Sequence, residues 1–371
     1  MKTGKTVVVL LLVAALLTAA CGTSEKKATS SAPGSGATDV KEGGVFRVPI
    51  NEPIDPYNVS ETTGNRVVKR LFVGLTTFDD NPDLVMRPGV TERWSANADC
   101  TQWTFNLRQS KFSNGEDVTA ESFIRGWTRA VDGRAASRVA GHLSGIEGYE
   151  ALHGTATTPA TVTTFSGLSA PDPHTLAVRL NTPDCEFDKK TVHSVFSPVP
   201  AAAGSFDNRA YNEAPIGNGQ FIIKPGTKWE HDKRISLVPN PLFFGPKLHI
   251  EALEQVINAP QAPEGAAYQA FEAGELDIAG VPLGQQKQVE ATYGPKGGFL
   301  KYIPYSISYV QPNTARGPLK EADAGATSTA LPMPSTVPFK STSHFRSLAV
   351  PPACLPRGRR PETTASLGSR S

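Results

Sequence analysis

The histidines and carboxylates of this sequence have no spacing that indicates catalysis or metal binding. No two of the seven histidines stand at metal-ligand spacing (His142, His153, His174, His193, His231, His249 and His344). The sequence also lacks a phosphate-binding glycine loop followed by Lys-Ser or Lys-Thr, a G-x-S-x-G turn and an H-E-x-x-H pair. We therefore expect no catalytic residue, no metal ligand and no cofactor, which makes an enzyme the least favoured class.

The first of the four cysteines follows a short apolar segment. Lys2 and Lys5 precede the apolar run Val7–Leu17, and the small-residue box Thr18–Ala20 leads into Cys21. This is the layout of a secretory signal peptide, because the run is well short of the roughly 20 apolar residues that a membrane span needs. The box and Cys21 resemble a bacterial lipobox, which predicts that the Cys21 thiol is acylated and anchors the chain to a membrane. The alternative is ordinary cleavage that leaves a free cysteine.

The charge of the chain is unevenly distributed. Residues 21–43 are rich in Gly, Ser, Ala and Lys, which predicts a flexible tether. The whole chain has 37 basic and 35 acidic residues. The segment from Gly325 onward contains six of the basic residues and one of the acidic residues, and the signal segment contains two lysines. The body between Cys21 and Ala324 therefore has 29 basic and 34 acidic residues. An acidic body is not suited to nucleic-acid binding.

Two cysteines in the body are candidates for a disulfide. Cys100 stands just before a predicted strand at Gln102, and Cys185 stands just after one that ends at Leu180. If these two strands pair antiparallel, the start of one lies beside the end of the other, and an exported protein permits the bridge. The alternative is two separate buried thiols. The fourth cysteine, Cys354, lies near the end of the chain.

Alternating and helical apolar patterns follow one another between Gly44 and about Lys320 without a repeating unit. This mixture predicts an α/β fold. The predicted strands are Val45–Ile50, Gln102–Arg108, Thr175–Leu180, Phe221–Lys224, Ile235–Val238 and Leu276–Ala279. The predicted helices are Asn65–Phe72, Thr119–Val131 and Ala266–Ala273.

The last part of the chain, residues 325–371, has a different composition. It contains seven prolines and fourteen serines and threonines, without a sustained periodic apolar segment. This composition predicts a basic, disordered tail.

Seven stretches, in order along the chain, resemble the bacterial extracellular solute-binding proteins of family 5. This family contains the oligopeptide- and dipeptide-binding lipoproteins of ABC importers. The stretches are Gly43–Asp80, Met86–Asp132, His193–Ala203 (HSVFSPVPAAA), Ala214–Lys224 (APIGNGQFIIK), Val238–Gly245 (VPNPLFFG), Ala267–Pro282 (AYQAFEAGELDIAGVP) and Tyr309–Leu319 (YVQPNTARGPL).

The resemblance implies a periplasmic-binding-protein-like (type II) fold, in which two α/β lobes close on a ligand. Residues 1–20 would be the lipoprotein signal peptide, 21–43 the lipidated tether, 44–280 lobe one, and 281–324 the hinge and the start of lobe two. Lobe one would be largely complete and lobe two mostly missing, because the family's chains are markedly longer. The unusual composition of residues 325–371 then indicates a shifted reading frame or a misassigned end near Ala324.

The resemblance also implies a function and a set of ligand-contacting residues. The protein would capture short peptides for an ABC permease and its ATPase subunits, as a monomer held at the outer face of the cell membrane. Asn51, Glu52 and Pro53 would face the ligand from lobe one, and Tyr309 and Asn313 from lobe two. Alternatively, Asn51–Pro53 is only a strand-to-loop exit with a rigid turn. The sequence is also compatible with a different solute (a nickel chelate, haem or an oligosaccharide), with a non-functional fragment, and with an exported enzyme or interaction module.

Overall fold

The described residues form four β-sheets and the helices packed against them. The computed structural model describes residues 42–51, 65–78, 85–154, 158–258, 265–302 and 346–349, all within the unit Val40–Ser371. The strands are β1 (Val45–Asn51), β2 (Thr76–Phe78), β3 (Met86–Pro88), β4 (Thr91–Ala96), β5 (Gln102–Leu107), β6 (Leu168–Asp172), β7 (Thr175–Arg179), β8 (Phe221–Ile223), β9 (Arg234–Pro239), β10 (Ala252–Asn258), β11 (Ala279–Gly280), β12 (Phe299–Tyr302) and β13 (Arg346–Ala349). The α-helices are α1 (Asn65–Leu71), α2 (Ala120–Val131), α3 (Tyr149–His153), α4 (Phe187–Lys190), α5 (Arg209–Glu213), α6 (Ala266–Glu272) and α7 (Gln286–Tyr293).

One four-stranded sheet is entirely antiparallel, in the order β4-β5-β7-β6. Strand β5 places Trp103, Phe105 and Leu107 on its buried face and alternates them with polar residues, as the sequence pattern predicts. The expected antiparallel pairing of the two cysteine-flanked strands is present, since Gln102 of β5 pairs with Arg179 of β7. This pairing brings the start of β5 next to the end of β7.

Helix α2 covers this sheet and begins where the sequence predicts. The backbone N–H of Thr119 donates to the Oγ of Ser122 at 3.2 Å, so an otherwise unpaired N–H at the helix start is satisfied. Phe123 and Trp127 are fully buried in the core beneath the helix. Gly126 lies against the neighbouring chain, where a Cβ would stand 2.4 Å from the carbonyl oxygen of Ser197. The close packing of α2 therefore depends on the absence of a side chain at this position.

The second four-stranded sheet is mixed, in the order β1-β10-β9-β8. Strands β1 and β10 run parallel, whereas the other two pairs are antiparallel. Helix α1, which the sequence predicts, packs on this sheet with Val67, Val68 and Leu71 fully buried. The side chain of Asn218 fixes the end of α1, because it accepts from the N–H and donates to the C=O of Val73, each at 3.0 Å.

A smaller core joins α6, α7 and the start of β12. It contains Tyr268, Phe271, Leu276 and Val289, and Val256 of β10 packs against it. The predicted strand Leu276–Ala279 is wrong over most of its length, since only Ala279 belongs to a strand. The reason is tertiary: Leu276 is buried in this core, and Asp277 is bonded to Arg47 of β1.

Strand β13 lies between β11 and β12 in a three-stranded antiparallel sheet. Its residues, Arg346–Ala349, fall inside the segment that the composition predicts to be disordered. The composition misses this strand because its pairing partners are supplied by distant residues, 279–280 and 299–302. No helix in the described ranges is both long and apolar enough to cross a membrane.

Candidate functional site

The carboxyl ends of the two parallel strands meet at one end of the mixed sheet. Asn51 ends β1 and pairs in register with Asn258, which ends β10. The isoleucine before each asparagine is buried, with Ile50 and Ile257 at 2% and 6% exposure, whereas the Asn51 side chain is exposed. Buried isoleucines hold the strand ends in place, and the side chains of Asn51 and Asn258 are exposed and half-buried, respectively. Ligands of open α/β sheets bind at such carboxyl ends.

Asn258 is a candidate that the sequence analysis missed. Both strands end in the same pattern, Ile50-Asn51-Glu52-Pro53 and Ile257-Asn258-Ala259-Pro260. The repeated Ile-Asn-x-Pro was a detectable signal, but only the register of β1 with β10 shows that the two asparagines are neighbours.

The outer edge of β1 is the second part of the site. Strand β1 is the last strand of its sheet, and β10 occupies only one of its sides. On the other side, the N–H of Asp277 donates to the C=O of Arg47 at 2.9 Å. Arg47 in turn donates its backbone N–H to the Asp277 carboxylate at 2.7 Å. The Asp277 segment therefore closes the edge at Arg47.

The remaining ligand residues expected from the sequence cannot be placed with these. Glu52, Pro53, Tyr309 and Asn313 lie outside the described residues, as does the acylation candidate Cys21. Of the expected ligand-contacting set, the structure places Asn51 alone, at an exposed strand end.

The structure joins Cys100 and Cys185 in a disulfide with an S–S distance of 2.06 Å and a Cα–Cα distance of 5.0 Å. The bond links the turn before β5 to the segment after β7, in the antiparallel sheet and away from the end of β1. The disulfide therefore stabilises the antiparallel sheet and does not contact the candidate site.

Two histidines that are far apart in the sequence stack on each other. The rings of His142 and His193 have centroids 4.4 Å apart, and the Nδ1 of His193 accepts from the N–H of Val195 at 3.1 Å. Burial lowers the pKa of His193 to about 4, and the nearby positive charges of His142 and Lys69 contribute less. His193 is therefore neutral at physiological pH. No group of three or more His, Cys, Asp or Glu residues suited to a metal ion occurs among the residues that the structure describes.

A separate cleft of about 610 Å³ opens at the other end of the mixed sheet. It is lined by Pro239, Pro241, Phe243 and Pro246, and by Glu42 and His249, which are hydrogen-bonded to each other. Asn51, the one expected ligand residue that the structure describes, does not line it. We therefore keep the carboxyl ends of β1 and β10 as the candidate site.

The mixed sheet with its exposed strand end and covering helix α1 is an α/β arrangement of the periplasmic-binding-protein type II fold. The chain belongs to the "Bacterial extracellular solute-binding proteins, family 5", whose sequence profile matches residues 85–324. Members of this family and the structural neighbours are solute-binding proteins rather than enzymes.

Several known proteins are similar to this chain. The periplasmic oligopeptide-binding protein OppA of Escherichia coli is 32% identical over 237 residues, which are 61% of this chain and 40% of that protein. The oligopeptide-binding protein OppA of Bacillus subtilis is 28% identical over 298 residues, 77% of this chain and 52% of that protein. A third relative, 31% identical over 254 residues, is the probable deoxycholate-binding periplasmic protein YgiS of Escherichia coli, with 68% of this chain and 45% of that protein covered.

Among solved structures, the Escherichia coli murein tripeptide binding protein MppA superposes with a TM-score of 0.59 and 27% identity, over 70% of this chain and 50% of that one. The chain thus spans about half the length of the relatives it matches. The superposition on MppA confirms the type II fold that the family resemblance implies.

Proposed function

We propose that this protein captures short peptides in an extended conformation and delivers them to an ABC permease and its ATPase subunits. The observation that carries the proposal is the exposed end of an edge strand at Asn51, beside Asn258 of the parallel neighbour. The names of the relatives support the same ligand class, since those of OppA and MppA describe peptide binding.

The edge of β1 offers the groups that an extended peptide needs. Successive residues of a strand direct their N–H and C=O groups to opposite sides. Because Arg47 bonds away from β10, Pro49 and Asn51 also direct theirs to the outer side. The C=O of Pro49 and the N–H of Asn51 lie on either side of Ile50. In a parallel pair, one residue of an added strand donates its N–H to the first of these groups and accepts from the second with its C=O. Backbone bonding of this kind gives affinity without reading side chains.

The rest of the binding site and its setting belong to the same proposal. Glu52 and Pro53 would continue the wall that Asn51 begins, and Tyr309 and Asn313 would face the ligand from lobe two. Lobe one would comprise residues 44–280, with the hinge and the start of lobe two at 281–324. The protein would act as a monomer, attached to the outer face of the membrane through an acylated Cys21 and the tether 21–43.

Calorimetry with trialanine on the full chain and on two variants tests this proposal. Asn51→Pro removes the N–H that would bond the peptide and is tolerated at an outer edge, whereas Asn51→Ala keeps it. We expect Asn51→Pro to weaken binding about three- to tenfold, which is what one net hydrogen bond contributes, and Asn51→Ala to bind like the wild type.

Deoxycholate is the comparison ligand, because one relative is described as binding it. Heat of binding with deoxycholate and none with trialanine or a pool of short peptides would contradict the peptide proposal. Equal binding of trialanine by Asn51→Pro and the wild type would contradict the role of the β1 edge.

A further inference from the structure

The outer edge of β1 is closed at Arg47, and beyond Pro49 none of the residues that the structure describes covers it. Asp277 occupies the edge at Arg47. Its N–H donates to the Arg47 C=O and its carboxylate accepts from the Arg47 N–H, so these two groups take the place of the N–H and the C=O of a partner strand. Two residues further on, Pro49 has no N–H to donate, although its C=O remains. Asn51 is therefore the first residue beyond Arg47 whose N–H faces the open side.

The closure at Arg47 is held by more than the backbone. The Asp277 carboxylate also accepts from Nε of Arg47 at 3.0 Å and from Nη2 at 3.1 Å. A third side-chain nitrogen of Arg47, Nη1, donates to the C=O of Gly274 at 3.0 Å. A bidentate Arg–carboxylate pair of this kind has one well-defined geometry. The Asp277 side chain is only 16% exposed, so solvent competes little for it.

We propose that the Arg47–Asp277 pair is the end wall of the peptide groove and sets the register of the bound peptide. This inference rests on the proposed peptide binding along β1. A peptide strand that pairs at Pro49 and Asn51 reaches the Asp277 segment within one further bonding position, because alternate residues on the same side are about 6.6 Å apart. One end of the peptide therefore lies at the pair, and the chain extends only toward the Asn51 end. Asp277 acts here as a positioning and specificity-determining residue.

Amide hydrogen exchange resolved to single residues tests the inference on the full chain, with trialanine and hexaalanine as probes. In the wild type, we expect the Arg47 amide to be protected without peptide, and both peptides to add protection at Asn51 only. In Asp277→Ala, the Arg47 N–H loses its acceptor and should exchange at least about tenfold faster. Hexaalanine should then protect Arg47 as well as Asn51, whereas trialanine should protect Asn51 alone.

The antiparallel sheet supplies a matched control. Glu147 donates its N–H to the C=O of Arg179 at 3.0 Å, and its carboxylate pairs with Nε of Arg179 at 3.0 Å. Glu147→Ala removes the same type of pair away from β1, so its Arg47 and Asn51 amides should behave as in the wild type. Asp277→Asn is the milder second variant: its amide oxygen still accepts from the Arg47 N–H, so the exchange of Arg47 should be intermediate.

The outcomes separate the register from the binding itself. If hexaalanine protects Asn51 but never Arg47 in Asp277→Ala and Asp277→Asn, the pair does not limit the groove and the inference is wrong. The inference is also wrong if the peptides slow the exchange of the Arg47 and Asn51 amides equally in the wild type. If calorimetry shows no peptide binding to the wild type, the proposed function fails and the register fails with it.

Discussion

Single residues at the site are held by contacts that other parts of the chain provide. Asn51 is exposed because Ile50 is buried below it, and Arg47 is engaged because Asp277 reaches it from 230 residues away. His193 is similar, since His142 stacks on it from a separate segment. The chemistry of the Arg47 and His193 side chains is therefore set by neighbours that are remote in sequence, whereas the exposure of Asn51 follows the alternation along its own strand.

The titration of His193 leads to a prediction about pH. The pKa of His193 is lowered from 6.5 to about 4 in the folded protein, so between these values the unfolded chain binds a proton that the folded chain does not. Stability is fully present above pH 6.5 and falls as the pH drops toward 4. In His193→Asn, the amide oxygen can still accept from Val195, but the position no longer titrates, so we expect a smaller loss of stability.

Urea unfolding at pH 7 and at pH 4.5 measures this difference. Because His193 is only half-buried, solvent screening reduces the effect, and we expect the variant to lose about 1–2 kcal/mol less than the wild type between the two pH values. Parallel stability curves for the two proteins would show that His193 does not contribute to the acid sensitivity.

Elements in this fold are joined by a few long-range ties. Helix α2 packs closely at Gly126 against the backbone of Ser197, and the disulfide joins the turn before β5 to the segment after β7. The mixed sheet is tied to the α6–α7 core by Asp277 and by Val256. The periodic patterns of the sequence predict the elements, and these ties determine their arrangement.

The disulfide leads to a prediction at this scale. Non-reducing peptide mapping of the native protein should recover Cys100 and Cys185 in one linked fragment. The bond closes a loop with a sequence separation of 85 residues, so Cys100→Ser with Cys185→Ser should lower the free energy of unfolding by about 2–5 kcal/mol. Calorimetric trialanine binding should stay at the wild-type level, because the bond lies away from β1. Two freely alkylatable thiols in the native protein would contradict the bridge.

At the scale of the whole molecule, the chain belongs to solute-binding family 5, and its relatives include periplasmic proteins. The N-terminal apolar run and the small-residue box after it precede Cys21, which lies outside the described residues.

Cys21 leads to a prediction about location. If its thiol carries the lipid anchor, Cys21→Ser should move the protein from the membrane fraction into the soluble fraction or the medium, because acyl chains supply the membrane affinity. Fractionation followed by immunoblotting measures the shift, and the Cys354→Ser variant is the matched control, which should stay with the membrane. Unchanged membrane association of Cys21→Ser would contradict the anchor.

The sequence by itself determined the local elements and the family of this protein. The alternation of Trp103, Phe105 and Leu107 predicts β5, and the threonine at position 119 predicts the start of α2, because these signals depend on neighbours in the sequence. The ordered series of family stretches likewise identifies a type II solute-binding protein, which the profile match over residues 85–324 confirms.

Only the tertiary structure decided which elements meet. It made Asn258 the neighbour of Asn51, and it replaced the predicted strand at Leu276–Ala279 by a contact between Asp277 and Arg47. It also placed Arg346–Ala349 between β11 and β12. The physical reason is that a strand is stabilised by the hydrogen bonds of its partner, and a partner that is distant in the sequence leaves no mark on the local pattern of apolar residues.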